Sequence, residues 1–145
     1  MEKKNNVSIT ILVDFDGTCV RHEFPIVGSD IGAQPVLRKL VDKGHRLILF
    51  TMRSDVIIKK TNGKEIIEET CNYLTDAVNW FKSNNIPLFG INTNPEQRTW
   101  TTSPKAYGQL IIDDIGLGIP LTSDGRHTYV DWVKVEELLI IRKIL

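Results

Sequence analysis

Residues 7–13 form a run rich in β-branched side chains, apolar on both faces, that stops at two carboxylates, Asp14 and Asp16. A strand apolar on both faces has to be covered on both sides, as an interior strand of a parallel sheet is. The rest of the chain keeps a matching rhythm of strand and helix. After a loop through Pro25 and Gly28, an amphipathic helix is expected over 34–42, with Val36, Leu37, Leu40 and Val41 as its stripe. Gly44 stands where a C-terminal cap belongs. A second apolar strand is expected over 46–50, a helix over 72–84, further strands over 87–91, 109–112 and 128–130, and a closing helix over 131–145. Between β-branched runs, Thr61-Asn62-Gly63-Lys64 predicts a hairpin within 54–70. Alternation of this kind implies one α/β domain spanning 1–145, a central parallel sheet with helices on both faces. In such sheets ligands bind beyond the carboxyl ends of the strands, so the residues there carry the functional reading.

The first strand ends in Asp14-Phe15-Asp16-Gly17-Thr18. Two acids so close raise each other's proton affinity unless a cation intervenes, although Asp and Gly also favour plain turns. A calcium loop begins in the same way but needs a bidentate acid at its twelfth position, which here is Pro25. The second strand ends in Phe50-Thr51-Met52-Arg53. Thr51 suits a turn or cap, and its hydroxyl with neighbouring N–H groups equally suits a phosphate oxygen. Arg53 suits either solvent or a substrate anion. The strand over 109–112 ends in Asp113-Asp114, and buried acids need a partner or a metal. Just ahead of it lies Ser103-Pro104-Lys105.

The order Asp-x-Asp-Gly-Thr, Thr51, Lys105, Asp113-Asp114 resembles the four motifs of the haloacid dehalogenase superfamily of phosphohydrolases, from Val7 to about Leu121. The resemblance implies a three-layer Rossmann-like fold and a Mg²⁺-dependent phosphatase working through an aspartyl-phosphate, while the charged and polar residues 1–6 and the short apolar runs make the cytoplasm the expected location. It makes Asp14 the nucleophile and Asp16 the general acid and base. It gives Thr51 and Lys105 a grip on the phosphate, alongside Arg53 as a substrate-binding candidate. It assigns Mg²⁺ to Asp14, the main-chain carbonyl of Asp16, Asp113 and, less directly, Asp114. Neither gap between motifs holds a cap domain, which implies a capless member with an open site. Residues 54–70 or 19–28 are then candidates for a partial flap, Arg21 and His22 for substrate contact, and Trp100 for a substrate or subunit contact. Trp80 and Trp132 read as packing residues. Several small bacterial and phage proteins look similar around Phe24-Pro25-Ile26-Val27-Gly28 and Pro104-Lys105-Ala106-Tyr107.

Composition sets the outer limits. Eighteen basic and eighteen acidic residues cancel, which removes long-range attraction to nucleic acid or an anionic membrane. Cys19 and Cys71 suggest reduced thiols, and no apolar run approaches the ~20 residues of a membrane span. The expected partner is a phosphorylated substrate, small or bulky, with a homo-oligomer open and nucleic acid disfavoured. No phosphate-binding Gly-x-x-x-x-Gly-Lys loop is present, and Gly116-Leu117-Gly118 lacks the third glycine of a dinucleotide fingerprint. Two alternatives remain beside the phosphatase: a nucleotide or nucleic-acid-end phosphatase of the same fold, and a non-catalytic metal- or phosphate-binding module. Hydrolysis and phosphotransfer to another acceptor are not separated by these residues.

Overall fold

A computed structural model describes residues 7–145. Its elements, in chain order, are β1 (Thr10–Val13), α1 (Ala33–Asp42), β2 (Arg46–Leu49), β3 (Asp55–Thr61), β4 (Ile66–Asn72), α2 (Tyr73–Ser83), β5 (Gly90–Ile91), β6 (Leu110–Ile112), β7 (Leu121–Ser123), β8 (Thr128–Val130) and α3 (Trp132–Ile141). Four strands make a parallel sheet in the order β5-β2-β1-β6. The chain is thus a mixed α/β protein built on a parallel sheet, as its alternating pattern predicts.

Register explains the core. Ile11 lies opposite Leu47 and Leu110, and Val13 opposite Leu49 and Ile112, so one face of the sheet carries a continuous apolar layer. Phe15, Leu37, Leu40, Phe81, Trp132 and Leu139 pack into that same cluster. All three helices therefore feed one face. This corrects the expectation of helices on both faces. On the opposite face Leu12 and Ile48 form a small apolar cluster with Ala106 and Phe89. That face is covered by the crossover between β5 and β6, whose regular structure amounts to a single 3-10 turn, Gln97–Thr99. Pro95, Pro104 and the run of Thr and Ser residues explain why no α-helix forms there. Gln97 holds the crossover instead. Its amide donates to the carbonyls of Ser103 and Lys105 and accepts from Tyr107 N–H.

Two further expectations change. The strand at 128–130 does not join the sheet; it pairs antiparallel with β7 as a separate hairpin. The last helix stops at Ile141, and Lys143 turns left-handed at φ 58°, folding Ile144 back so that its N–H reaches Leu139 O. The β3–β4 hairpin forms as predicted, with Gly63 at φ 89° in its turn. Gly44 takes the left-handed cap position after α1, its N–H donating to Val41 O. Both cysteines are free. No helix among the described residues is long and apolar enough to cross a membrane.

Candidate functional site

A cleft of about 620 Å³ lies at the carboxyl ends of β1, β2 and β6, lined by Asp14, Asp16, Thr51, Arg53, Asn92, Asp113 and Asp114 among others. The parallel sheet sets this placement. Asp14 follows Val13, and its N–H donates to Ile112 O, so the start of the first motif continues the β1–β6 ladder. Asp113 follows Ile112 directly. One carboxylate oxygen from each of Asp14, Asp113 and Asp114 falls within 4.8 Å of the others.

Gly17 makes this convergence possible. It sits at φ 81°, a conformation that side-chain-bearing residues rarely adopt, and a Cβ there would stand 2.5 Å from Asp114 Oδ2. Thr18, fully buried, ties the two loops together. Its hydroxyl donates to Asp14 Oδ2 at 2.8 Å and accepts the N–H of Asp114 at 3.0 Å. Trp132 fixes Thr18 in turn, its indole N–H donating to the Thr18 carbonyl.

No lysine, arginine or histidine pairs with the acid trio among the described residues. The consequence is electrostatic. Burial pushes the Asp14 carboxyl up to about 7, the Asp113 charge adds to the rise, and the Thr18 hydroxyl opposes it. Burial likewise raises Asp113, with Asp114 reinforcing it and the N–H of Ile115 pulling it down. Buried beneath, the Cys19 thiol donates to Asp14 O and is pushed up by burial, so it stays protonated.

Asp16 is handled in the opposite way. Arg53 grips it with both forks, Nε to Oδ2 at 2.7 Å and Nη2 to Oδ1 at 2.8 Å. The remaining N–H groups of Arg53 go to the carbonyls of Pro25, Ile26 and Tyr73. Five donors thus make five bonds, and the guanidinium also lies over the Phe15 and Phe24 rings. Arg53 is buried and has no donor left for a substrate anion, which corrects the substrate-binding expectation. The Asp16 carboxylate stands outside the acid trio.

Thr51 lines the cleft as expected, with a different use of its backbone. Its N–H donates to Asn92 Oδ1, and its hydroxyl accepts the N–H of Arg53. The hydroxyl proton, rather than the Thr51 N–H, remains for a ligand oxygen. Asn92 was not legible as a site residue. It holds a left-handed φ of 57° just beyond β5, a conformation asparagine tolerates better than most residues.

Lys105 does not join the others. Its side chain is exposed, lines no part of the cleft, and makes no ion pair with Asp14 among the described residues. The β3–β4 hairpin contributes nothing to the lining either, so it is no flap in this arrangement. His22 and Phe24 do line the cleft, whereas Arg21 turns to Asp124 at 2.8 Å. Trp100 pairs edge-on with Tyr107 outside it, and Trp80 and Trp132 are buried as expected.

No protein-family model and no curated protein matches the chain. A solved structure does, that of the conserved protein coded by a locus from Bacteroides thetaiotaomicron. The match has 31% sequence identity and a TM-score of 0.67, and covers 94% of this chain and 93% of that one. With that identity over nearly the whole of both chains, this protein belongs to the same family as the Bacteroides protein.

Proposed function

We propose that this protein is a divalent-metal-dependent phosphohydrolase of the haloacid dehalogenase type, with Asp14 as its nucleophile. One observation carries the reading. Three half-buried carboxylates from two adjacent parallel strand ends converge without a protein cation, and Asp14 is driven up to about 7. Such a cluster suits a hard cation with oxygen ligands, and Mg²⁺ fits this donor chemistry. Asp14, Asp113 and Asp114 would hold it. When bound, the ion supplies positive charge that ionises the carboxylates and offsets the phosphate.

The chain's own groups then have defined tasks. An Asp14 oxygen attacks phosphorus, and the bond to the leaving oxygen breaks with its electron pair going to that oxygen. Water then attacks the aspartyl-phosphate, releasing phosphate and restoring Asp14. Thr18 keeps Asp14 Oδ2 in place, and Thr51 offers its hydroxyl proton to a phosphate oxygen. Asp16 lies along the same cleft for proton transfer to the leaving oxygen. Each Asp16 oxygen gives one lone pair to Arg53 and keeps a second, so the proton moves with the clamp in place.

A second reading, a non-catalytic metal- and phosphate-binding module, draws on two particulars: the clamped Asp16 and the outlying Lys105. Phosphate release from an aryl monophosphate, with and without Mg²⁺, separates the two for wild type and Asp14→Asn. The enzyme reading expects metal-dependent turnover that falls at least about 10³-fold in the variant. Mg²⁺ binding without turnover on any phosphate ester favours the module.

A further inference from the structure

The cleft is polar where it is half-buried and mostly apolar where it is open, the exposed His22 being the exception. Asp14, Asp16, Thr51, Asn92, Asp113 and Asp114 are its half-buried lining. The exposed lining includes Phe24 at 47%, Phe50 at 37%, Met52 at 98% and Ile115 at 86% accessibility. Phe24 packs edge-on to Tyr73 at 5.0 Å and under the Arg53 guanidinium at 5.1 Å. An aromatic anchor beside two unencumbered aliphatic side chains offers a non-polar surface contiguous with the acid trio.

Charge narrows what that surface accepts. The lining holds four aspartates, one arginine, one histidine and no lysine. Arg53 has every donor committed, so it offers nothing to a second anionic group on the substrate. One divalent ion does not fully neutralise the three carboxylates, so no positive charge is left over for a second anion beside the phosphate. A diphosphate, a sugar bisphosphate or a polynucleotide end would bring further negative charge to a cleft where, with Arg53 committed, the exposed imidazole of His22 is the one basic side chain of the lining left to meet it.

Resting on the phosphohydrolase reading, we propose that the substrate is a phosphate monoester whose leaving group is an uncharged, apolar body of about aryl size, seated on Phe24, Met52 and Ile115. The phosphate faces the acid trio and Thr51, and the apolar body takes the mouth. Covering Met52 and Ile115 removes exposed apolar surface from water and supplies the selectivity.

Calorimetric titration of the full chain at saturating Mg²⁺ tests this without turnover, using four phosphonates: methyl-, benzyl-, carboxymethyl- and 2-aminoethylphosphonate. Benzylphosphonate is expected to bind about tenfold more tightly than methylphosphonate, and the two charged ligands no more tightly than methylphosphonate. Met52 and Ile115 stand mostly in solvent, so the double variant Met52→Ser/Ile115→Ser leaves the core untouched. It is expected to cut the benzyl preference to about threefold or less while methylphosphonate binds as before. Equal binding of benzyl- and methylphosphonate, an unchanged preference in the double variant, or tighter binding of a charged ligand overturns the proposal and spares the phosphate site. Failure of all four to bind overturns the phosphohydrolase reading and this inference with it.

Discussion

Four carboxylates share one cleft, and the protein treats them in two ways. Asp16 has a buried guanidinium on both oxygens, whereas Asp14, Asp113 and Asp114 have each other and no cation. The chain is capable of building a saturated arginine partner next to the trio and does not give one to it. Burial and mutual repulsion raise the Asp14 and Asp113 carboxyls where no partner offsets them, and the cation of the proposed function would offset both. The Asp16–Arg53 pair, by contrast, is also a structural tie. It joins the first-motif turn to the carbonyls of Pro25, Ile26 and Tyr73, and thereby fixes the wall of the cleft.

That contrast predicts stability changes of opposite sign. Arg53→Met removes five hydrogen bonds and strands Asp16, and is expected to cost about 3–5 kcal/mol in denaturant unfolding. Asp14→Asn relieves repulsion within the trio and is expected to raise the metal-free midpoint. If Arg53→Met proved harmless, or Asp14→Asn were as damaging, the division between architecture and ligand site would be wrong.

Next in size is a pH effect confined to the metal-free protein. The Asp14 carboxyl ionises near its ordinary 3.8 when unfolded and at about 7 when folded. Below 3.8 both states are protonated and nothing is lost. As pH rises from there to about 7 the unfolded chain ionises first, so folding stability declines, by a few kcal/mol at most, and then levels off. Melting curves in a chelator are expected to show this decline between about pH 4 and 7 and a plateau above it, and saturating Mg²⁺ to flatten it. A slope unaffected by Mg²⁺ would place the metal elsewhere.

A smaller loss is expected from Gly17→Ala. The new methyl meets Asp114 Oδ2 in a left-handed backbone, at about 1–2 kcal/mol in stability, together with weaker Mg²⁺ binding by calorimetry. The smallest effect is expected from Lys105→Ala. Its exposed side chain touches no aspartate, so stability is expected to change by less than about 0.5 kcal/mol and phosphate release by less than about tenfold. A loss near that of Asp14→Asn would show that the crossover brings Lys105 to the nucleophile during turnover.

Much of this arrangement was readable in the chain because it depends on short-range pattern. The β-branched run before Asp14, the apolar residues before Asp113 and the Asn62-Gly63 turn each specify local structure, and the register of parallel strands then aligns their ends. Arg53 was misread because a solvated arginine and a buried one share a letter; its environment is made by Asp16 and by carbonyls 20 to 28 residues away in sequence. Asn92 was missed for a similar reason, its role being a bond to Thr51 N–H across 41 positions. The missing helical layer had a visible signal in Pro95 and Pro104, outweighed by the regularity of the pattern on either side. Lys105 drew its expected role from the resemblance alone, and sequence order did not bring it to Asp14.

The most direct test of the central claim, that Asp14 receives a phosphoryl group at a metal site, is the ¹⁹F NMR spectrum of the protein with Mg²⁺ and beryllofluoride, a mimic of a phosphorylated aspartate. Wild type is expected to give protein-bound fluoride resonances that need Mg²⁺ and are absent in Asp14→Asn. Bound resonances that persist in Asp14→Asn, or none in the wild type with Mg²⁺, would contradict the account.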